Sequence, residues 1–143
     1  MRWIIALVFY SLMPLQKAWG DGIDLQIGTY SIHAAIANTS HSRERGLMQS
    51  DYLCGDCGML FIFPKAEKYS FWMKDTTLPL SIAFIADDGS ILNIAEMQAN
   101  STLSHRAQDK ILYALEMNKG WFSARAIKPN DRVYGLQLAP KGQ

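Results

Sequence analysis

The sequence lacks several features that would point directly to a function. Its 143 residues include only two cysteines and five prolines, and 14 basic residues against 13 acidic ones leave a net charge of +1. This balance argues against non-specific nucleic-acid binding, which needs a basic face. A single CxxC pair without a second one argues against a structural zinc site. The length excludes a large multidomain enzyme and a long solenoid.

No apolar run is long enough to cross a bilayer, which takes roughly 20 residues. The N-terminal run, residues 3–13, follows a basic residue and precedes a proline and a small-residue site ending at Gly20. This arrangement is typical of a cleaved signal peptide, the alternative being a retained anchor helix. We predict a signal peptide over residues 1–20 and a single β-rich domain over residues 21–143. The mature protein is expected in the periplasm or outside the cell, without stable membrane insertion.

Alternation of apolar and polar side chains predicts a mainly β (α+β) domain. Strands are expected at residues 25–27, 30–36, 59–63, 68–74, 78–86, 91–97, 113–117 and 134–138. Short helices are expected at 42–49 and 121–127, and Asp88-Gly89 predicts a tight type I′ hairpin. The strand at 59–63 should end at Pro64, because proline cannot donate to a ladder. Together these elements predict a compact, closed or nearly closed antiparallel barrel.

Four segments, taken together, resemble one protein family. They are Arg-Glu-Arg-Gly-Leu-Met at 43–48, Gly-Met-Leu-Phe-Ile-Phe-Pro at 58–64, Phe-Trp-Met-Lys-Asp-Thr at 71–76 and Pro-Leu-Ser-Ile-Ala-Phe-Ile at 79–85. With the Asp88-Gly89 turn and residues 114–116, they are similar to the domain of unknown function 192 family over residues 25–138. The resemblance implies a compact barrel-like β domain, often exported in bacteria, and no established activity.

The sequence departs from this family pattern at a few positions. Ser81 stands where the pattern has aspartate, Asp75 where asparagine is usual, and Asn130 where glycine is common. The pair Cys54 and Cys57 is not part of the pattern. If the family used a catalytic carboxylate at the position of Ser81, this chain has lost it, which argues against an enzyme.

The pair Cys54 and Cys57 is open to three interpretations. A reactive CxxC pair usually opens a helix, whose N-terminus lowers the thiol pKa, but here an apolar strand follows. Asp56 between the cysteines also favours the neutral thiol. In an oxidising compartment a small structural disulfide is favoured. A redox-active pair and a metal-binding pair are the alternatives.

Trp72 and Lys74 are the main candidates for a ligand-binding surface. The alternation places them on the face opposite Tyr69, Phe71 and Met73, so that Phe71 belongs to the core. A tryptophan beside a lysine forms a flat platform with a cation, which suits a sugar ring, an anion or another polar ligand.

Arg45 and Glu116 are further charged residues in or next to the family segments, and we assign them to the same binding site. The structural alternative places Trp72 in a barrel interior and pairs Lys74 with Glu116 or Asp75. The methionines after residue 20 suggest copper as a third possibility, but no Met-x-Met spacing occurs, and filling of core gaps is favoured.

These observations predict an exported, non-catalytic binding or accessory module of the cell envelope. We expect a monomer that takes a small-molecule or envelope ligand, with no cofactor, no metal and no nucleic-acid partner. One alternative is an uncharacterised enzyme using Lys74, Arg45 and Glu116. Another is a metal or redox handler using Cys54, Cys57 and the methionines.

Overall fold

The computed structural model describes residues 21–143, so the predicted signal peptide lies outside the described residues. The strands are β1 (Ile23–Ile27), β2 (Tyr30–Ala37), β3 (Cys57–Glu67), β4 (Ser70–Phe71), β5 (Leu80–Ile85), β6 (Ile91–Met97), β7 (His105–Arg106), β8 (Ile111–Asn118) and β9 (Val133–Tyr134). The helix α1 spans Ser40–Arg45, and 3-10 turns occupy Ser123–Arg125 and Leu136–Leu138. Within this described part, no helix has the length and apolar character needed to cross a membrane.

Seven strands form one curled sheet in the order β6-β5-β8-β3-β2-β1-β9, and β4 pairs with β7 in a separate ribbon. The domain is therefore mainly β, as predicted. The prediction of a closed or nearly closed antiparallel barrel is only partly right, because the sheet forms a half-barrel and β2 and β3 run parallel. The edge strands β6 and β9 do not pair with each other. A single bridge joins Ser90 and Arg132, which precede them, and beside it the Ile91 amide donates to the Asp131 carbonyl at 2.9 Å.

The two faces of the sheet carry separate apolar clusters. The inner face is the cluster that includes residues of both edges, such as Ile91 and Val133, together with Leu115, Met117 and Phe122. The outer face is covered by the connections between strands. Its cluster includes Leu47, Leu53, Phe61, Phe63, Met73, Ile82, Phe84 and Ala114. Alternation along each strand sends neighbouring side chains to opposite faces.

Several predicted elements are confirmed. The hairpin of β1 and β2 turns at Gly28, β6 has the predicted bounds, and β8 extends the predicted strand by a few residues. Around β4 the predicted alternation also holds, since Met73 is fully buried and Trp72 is exposed. The regular strand there is only two residues long, because it pairs with the short β7 and not with the main sheet.

The predicted end of β3 at Pro64 is wrong. β3 continues to Glu67, and its register against β8 shifts between Ile62 and Glu67. A bulge of this kind leaves residues without a ladder partner, so a proline there removes no ladder hydrogen bond. The Asp88-Gly89 turn also differs from the type I′ prediction. A type I′ turn needs a positive φ at both Asp88 and Gly89, but of these two only Gly89 has one, of 89°. One left-handed residue is typical of a longer hairpin loop.

Glycines end two elements earlier than predicted. Thr39 and Ser42 form a capping box at the start of α1, and Gly46, at φ 49°, ends the helix, which was predicted to reach Gln49. At the other end of the chain, Gly135 has a φ of 100°. The predicted last strand therefore stops at Tyr134, and a 3-10 turn follows.

Candidate ligand-binding cavity

A cavity of about 240 Å³ lies on the outer face of the sheet, beneath the segments that cover that face. Its lining comprises residues 43–48, Phe61, Phe63, residues 69–72, Thr76 and Glu116. These residues come from α1 and the turn after it, from the central strands β3 and β8, and from the segment around β4. The cavity therefore depends on the tertiary fold and on no single local motif.

Glu116 of β8 brings a carboxyl group to this cavity from the middle of the sheet. Its register neighbours are Met59 on β3 and Ile82 on β5, both apolar, and only 4% of Glu116 is exposed. Burial raises the pKa of the Glu116 carboxyl to about 8, because no water shell stabilises the charged form. The group is therefore mostly protonated at neutral pH.

The Glu116 carboxyl has no partner among residues 21–143, since burial is the cause of its raised pKa and no hydrogen bond or charged neighbour contributes to it. In that range, every buried side-chain nitrogen or oxygen that is shielded from solvent has a hydrogen-bond partner. The oxygens of Glu116 are consequently not sealed in the core, and they open on the cavity that the residue lines. A polar group in this position is available to whatever enters the cavity.

Aromatic side chains form most of the apolar wall. The ring of Phe61 meets that of Phe71 edge to face at 5.0 Å between centroids, and the ring of Phe63 stacks on Tyr69 at 3.6 Å. The Tyr69 hydroxyl donates to the Lys65 carbonyl at 2.8 Å, so its polar end is already satisfied. The rings hold one another in place, and the wall they form is preorganised for a flat apolar group.

Trp72 and Lys74 share one side of the β4 segment, as predicted, but only Trp72 of the two lines the cavity. Trp72 is 51% exposed and lines the cavity. Lys74 lies outside the lining, with its Nζ 5.5 Å from the centroid of the Trp72 ring. Among the described residues Lys74 forms no ion pair, with Glu116 and Asp75 included, so the pairing considered as the structural alternative is wrong.

The two arginines of α1 contribute differently. Arg43 donates to the carbonyls of Asn38, Ile62 and Gln143 at 2.8, 3.0 and 2.7 Å, which ties α1 to β3 and to the last residues of the chain. Arg45 also lines the cavity, but it is exposed and enters no ion pair within the described chain. Arg45 is therefore the lining arginine whose side chain no hydrogen bond ties to the backbone of the described chain, in contrast to Arg43.

Cys54 and Cys57 are joined as a disulfide with a Cα–Cα distance of 5.0 Å. A strand follows the pair, as predicted, with Cys57 as the first residue of β3. Asp56 between the cysteines accepts hydrogen bonds from Trp121 Nε1 at 3.0 Å and Arg125 at 3.1 Å. A second, more open hollow of about 630 Å³ borders the disulfide and His33. The two hydrogen bonds of Asp56 anchor the loop that carries the disulfide to the rest of the domain.

Of the methionine candidates, Met48 lines the cavity, and the others belong to the apolar clusters or pack against them. Met73 and Met97 belong to the outer-face cluster and Met117 to the inner-face cluster. In the part of the chain that the structure describes, no group of three or more His, Cys, Asp or Glu side chains is placed to hold a metal. Ser81 is buried beside Met117, and its hydroxyl donates to Glu96 at 2.6 Å. An aspartate at this position would point away from Glu116.

The structure brings together three of the four residues that the sequence analysis assigned to a ligand-binding site, and the lining also includes charged residues that were not assigned to it, Arg43 and Glu44. Arg45, Trp72 and Glu116 do lie around one cavity, whereas Lys74 does not line it. Phe61 and Phe63 were predicted only as strand residues. The usable signal was Glu116 itself, because a lone acid within the apolar run of β8 has to be paired, protonated or open to a cavity.

Comparisons with known proteins give a family and a fold. The family model of DUF192, described as an uncharacterised ACR family, matches residues 23–135. A candidate transcription regulator from Sinorhizobium meliloti is 30% identical, with a TM-score of 0.78, over 80% of this chain and 94% of that one. A protein of unknown function from Novosphingobium aromaticivorans is 30% identical, with a TM-score of 0.74, over 77% and 82%. Among curated proteins, none matches the chain.

Proposed function

Since the chain belongs to the DUF192 family, whose description assigns no activity, we propose its function from the geometry of the site. The protein acts as an exported, non-catalytic binding module of the cell envelope that takes a small ligand into the Glu116 cavity. One observation carries this proposal: a carboxyl in the middle of the sheet lacks a partner in the described chain and opens on a cavity with aromatic walls. Buried polar groups are normally hydrogen-bonded, and a ligand would supply the missing partner.

The arrangement supports binding more than catalysis. The alternative enzyme needs Lys74, Arg45 and Glu116 at one reacting centre, but Lys74 is outside the cavity lining and stacks on Trp72. The lining around Glu116 is mainly aromatic and aliphatic, which suits the body of a ligand. A general acid acts on a substrate that other polar groups hold in place. Arg45, which would have to hold the substrate beside Glu116, lies on the exposed part of the lining.

Two features support export. Residues 1–20 have the composition of a signal peptide. The disulfide between Cys54 and Cys57 is typical of the oxidising periplasm and extracellular space. We therefore place the mature domain in the periplasm or outside the cell, where the cavity would meet envelope or environmental ligands.

The S. meliloti neighbour is described as a candidate transcription regulator, and this activity is not part of our proposal. DNA binding draws on a surplus of Lys and Arg to neutralise phosphates, whereas this chain has a net charge of +1. If it binds duplex DNA with micromolar or better affinity and the steep salt dependence of phosphate contacts, our proposal is wrong.

A fragment collection tested by ligand-observed NMR and thermal shift will show whether the cavity binds small molecules. Compounds that bind only the folded protein raise its melting temperature. We expect hits whose affinity falls at least tenfold in Trp72→Ala. The matched control is Tyr134→Ala, which removes an aromatic residue of similar exposure at the β9 edge of the sheet. Hits that bind equally well to both variants would place the binding site elsewhere.

The export half of the proposal has its own test. N-terminal sequencing of the protein from a cell-envelope fraction should begin at Asp21. Recovery of the intact chain from the cytosol, still beginning at Met1, would contradict export and leave the binding result unaffected.

A further inference from the structure

The charges and walls of the cavity also define the chemical class of its ligand, an inference that rests on the cavity being the binding site. We propose that the ligand is a small aromatic acid with an acceptor oxygen at the end opposite its acid group. Its ring lies among the phenylalanines, its anionic group meets Arg45, and its acceptor oxygen takes a hydrogen bond from Glu116.

The size of the cavity sets the size of the ring system. A dry cavity of about 150 Å³ is enough for benzene, and this one measures about 240 Å³. One substituted ring therefore fills the space. Phe61 and Phe71 offer it edge-to-face and stacked contacts, which aromatic pairs prefer, whereas the Phe63 ring already stacks on Tyr69 and has the Arg43 guanidinium over it.

Arg45 determines the charge of the ligand. The charged and titratable residues of the lining are Arg43, Glu44, Arg45, Tyr69 and Glu116. The Arg43 guanidinium donates hydrogen bonds to three backbone carbonyls. Arg45, by contrast, has no carboxylate partner in the described residues. Two arginines and one exposed acid, Glu44, line this part of the cavity, and a guanidinium forms strong, often bidentate bonds to carboxylates, so an organic anion fits it better than an organic cation.

Glu116 determines the other end of the ligand. Its neighbours on β3 and β5, Met59 and Ile82, bring no charge that would stabilise the carboxylate. Burial keeps its pKa raised, and the pKa of Tyr69, the other lining group that shifts, is also raised by burial. The protonated carboxyl is a hydrogen-bond donor. A ketone or similar oxygen on the ligand would accept that bond, which an ammonium group cannot do because it has no lone pair.

Three matched probes test this assignment: 4-acetylbenzoate, 4-isopropylbenzoate, which lacks the ketone oxygen, and 4-acetylbenzylamine, which carries the opposite charge. Binding is followed by calorimetry and by NMR shifts of the purified protein at pH 7. We expect 4-acetylbenzoate to bind about tenfold more tightly than either analogue, and Arg45→Gln to remove its advantage over the amine. A tighter-binding amine would overturn the ligand class while leaving the cavity as a binding site.

The pH dependence of the affinity shows whether Glu116 donates a hydrogen bond to the ligand or only forms part of the cavity wall. Affinity for 4-acetylbenzoate should fall about tenfold between pH 7 and pH 9, as the protonated fraction of a group with a pKa near 8 falls. Glu116→Gln keeps a donor of the same size, so it should bind the probe without that pH dependence, and Glu116→Leu should bind it weakly at every pH. An unchanged pH profile in Glu116→Gln would overturn the assignment of Glu116. If fragments bind the cavity but none of the three probes does, the ligand class is wrong and the proposed function stands.

Discussion

The two faces of the sheet differ in the chemistry of the side chains that they bury. On the inner face, apolar side chains from both sheet edges and from Trp121 and Phe122 form one cluster. On the outer face, the covering segments leave a cavity with a carboxyl inside it. The inner face is organised for stability. The outer face gives up part of its packing for a space that can hold a ligand.

β8 shows the difference within a single strand. Leu115 and Met117 point to the inner face and are fully buried, while Glu116 between them points to the outer face and lines the cavity. Alternation makes this possible, because one residue can change the chemistry of one face without disturbing the other. The candidate site therefore lies on the outer face of the same strands whose inner face forms the main apolar cluster.

The largest expected effect is on the inner face. Phe122→Ala should lower the free energy of unfolding by about 3–5 kcal/mol, because it removes a fully buried ring and leaves a cavity. Phe71→Ala on the outer face should cost less, since Phe71 already borders open space. Urea denaturation measures both variants. If Phe71→Ala is the more damaging of the two, the contrast between the faces is wrong.

The next effect concerns Glu116 and pH. Its folded-state pKa of about 8 lies above the unfolded value, so the folded protein holds a proton that the unfolded chain releases. That stabilisation is complete at acidic pH and is lost as pH rises toward 8. We expect a decrease on the order of 3 kcal/mol between pH 5 and pH 9, discounted for water reaching the cavity. Glu116→Gln should abolish this decrease, and a slope that persists in the variant would assign it to other groups.

The disulfide should contribute less. Replacing Cys54 and Cys57 together with Ser should lower stability by about 2 kcal/mol, near the low end for disulfides, because the closed loop is very short. The fold should remain, since Asp56 keeps its bonds to Trp121 and Arg125. Turnover of a thiol substrate by the wild-type protein would instead identify a redox pair.

The smallest effect on stability is expected at the exposed part of the cavity. Trp72→Ala should change the free energy of unfolding by less than about 1 kcal/mol, because half of the side chain is in water. It should nevertheless reduce ligand binding. Unfolding of Trp72→Ala under conditions in which Phe71→Ala is stable would show that Trp72 belongs to the core.

The sequence predicted the elements whose pattern is local. β6 and the β1–β2 hairpin follow from alternation, and α1 follows from its capping residues. The failures occur where tertiary structure decides. Pro64 is tolerated because a bulge frees it from the ladder, and the parallel pairing of β2 with β3 has no signature in either strand.

The candidate site was predictable in its polar residues and not in its shape. Trp72, Arg45 and Glu116 stood out as charged or aromatic residues near the family segments. Their meeting at one cavity depends on how α1 and β4 cover the sheet, which alternation does not specify. Lys74 was misplaced for the same reason, since sharing a face with Trp72 does not bring it into the lining.

The parallel pairing of β2 and β3 has a consequence for how such proteins diversify. Adjacent parallel strands cannot be joined by a tight turn, so residues 38–56 must travel from one end of the sheet to the other. Residues 43–48 of that connection line the cavity. Changes in its length or composition would reshape the cavity while the sheet stays intact, so the same scaffold can carry cavities of different shape.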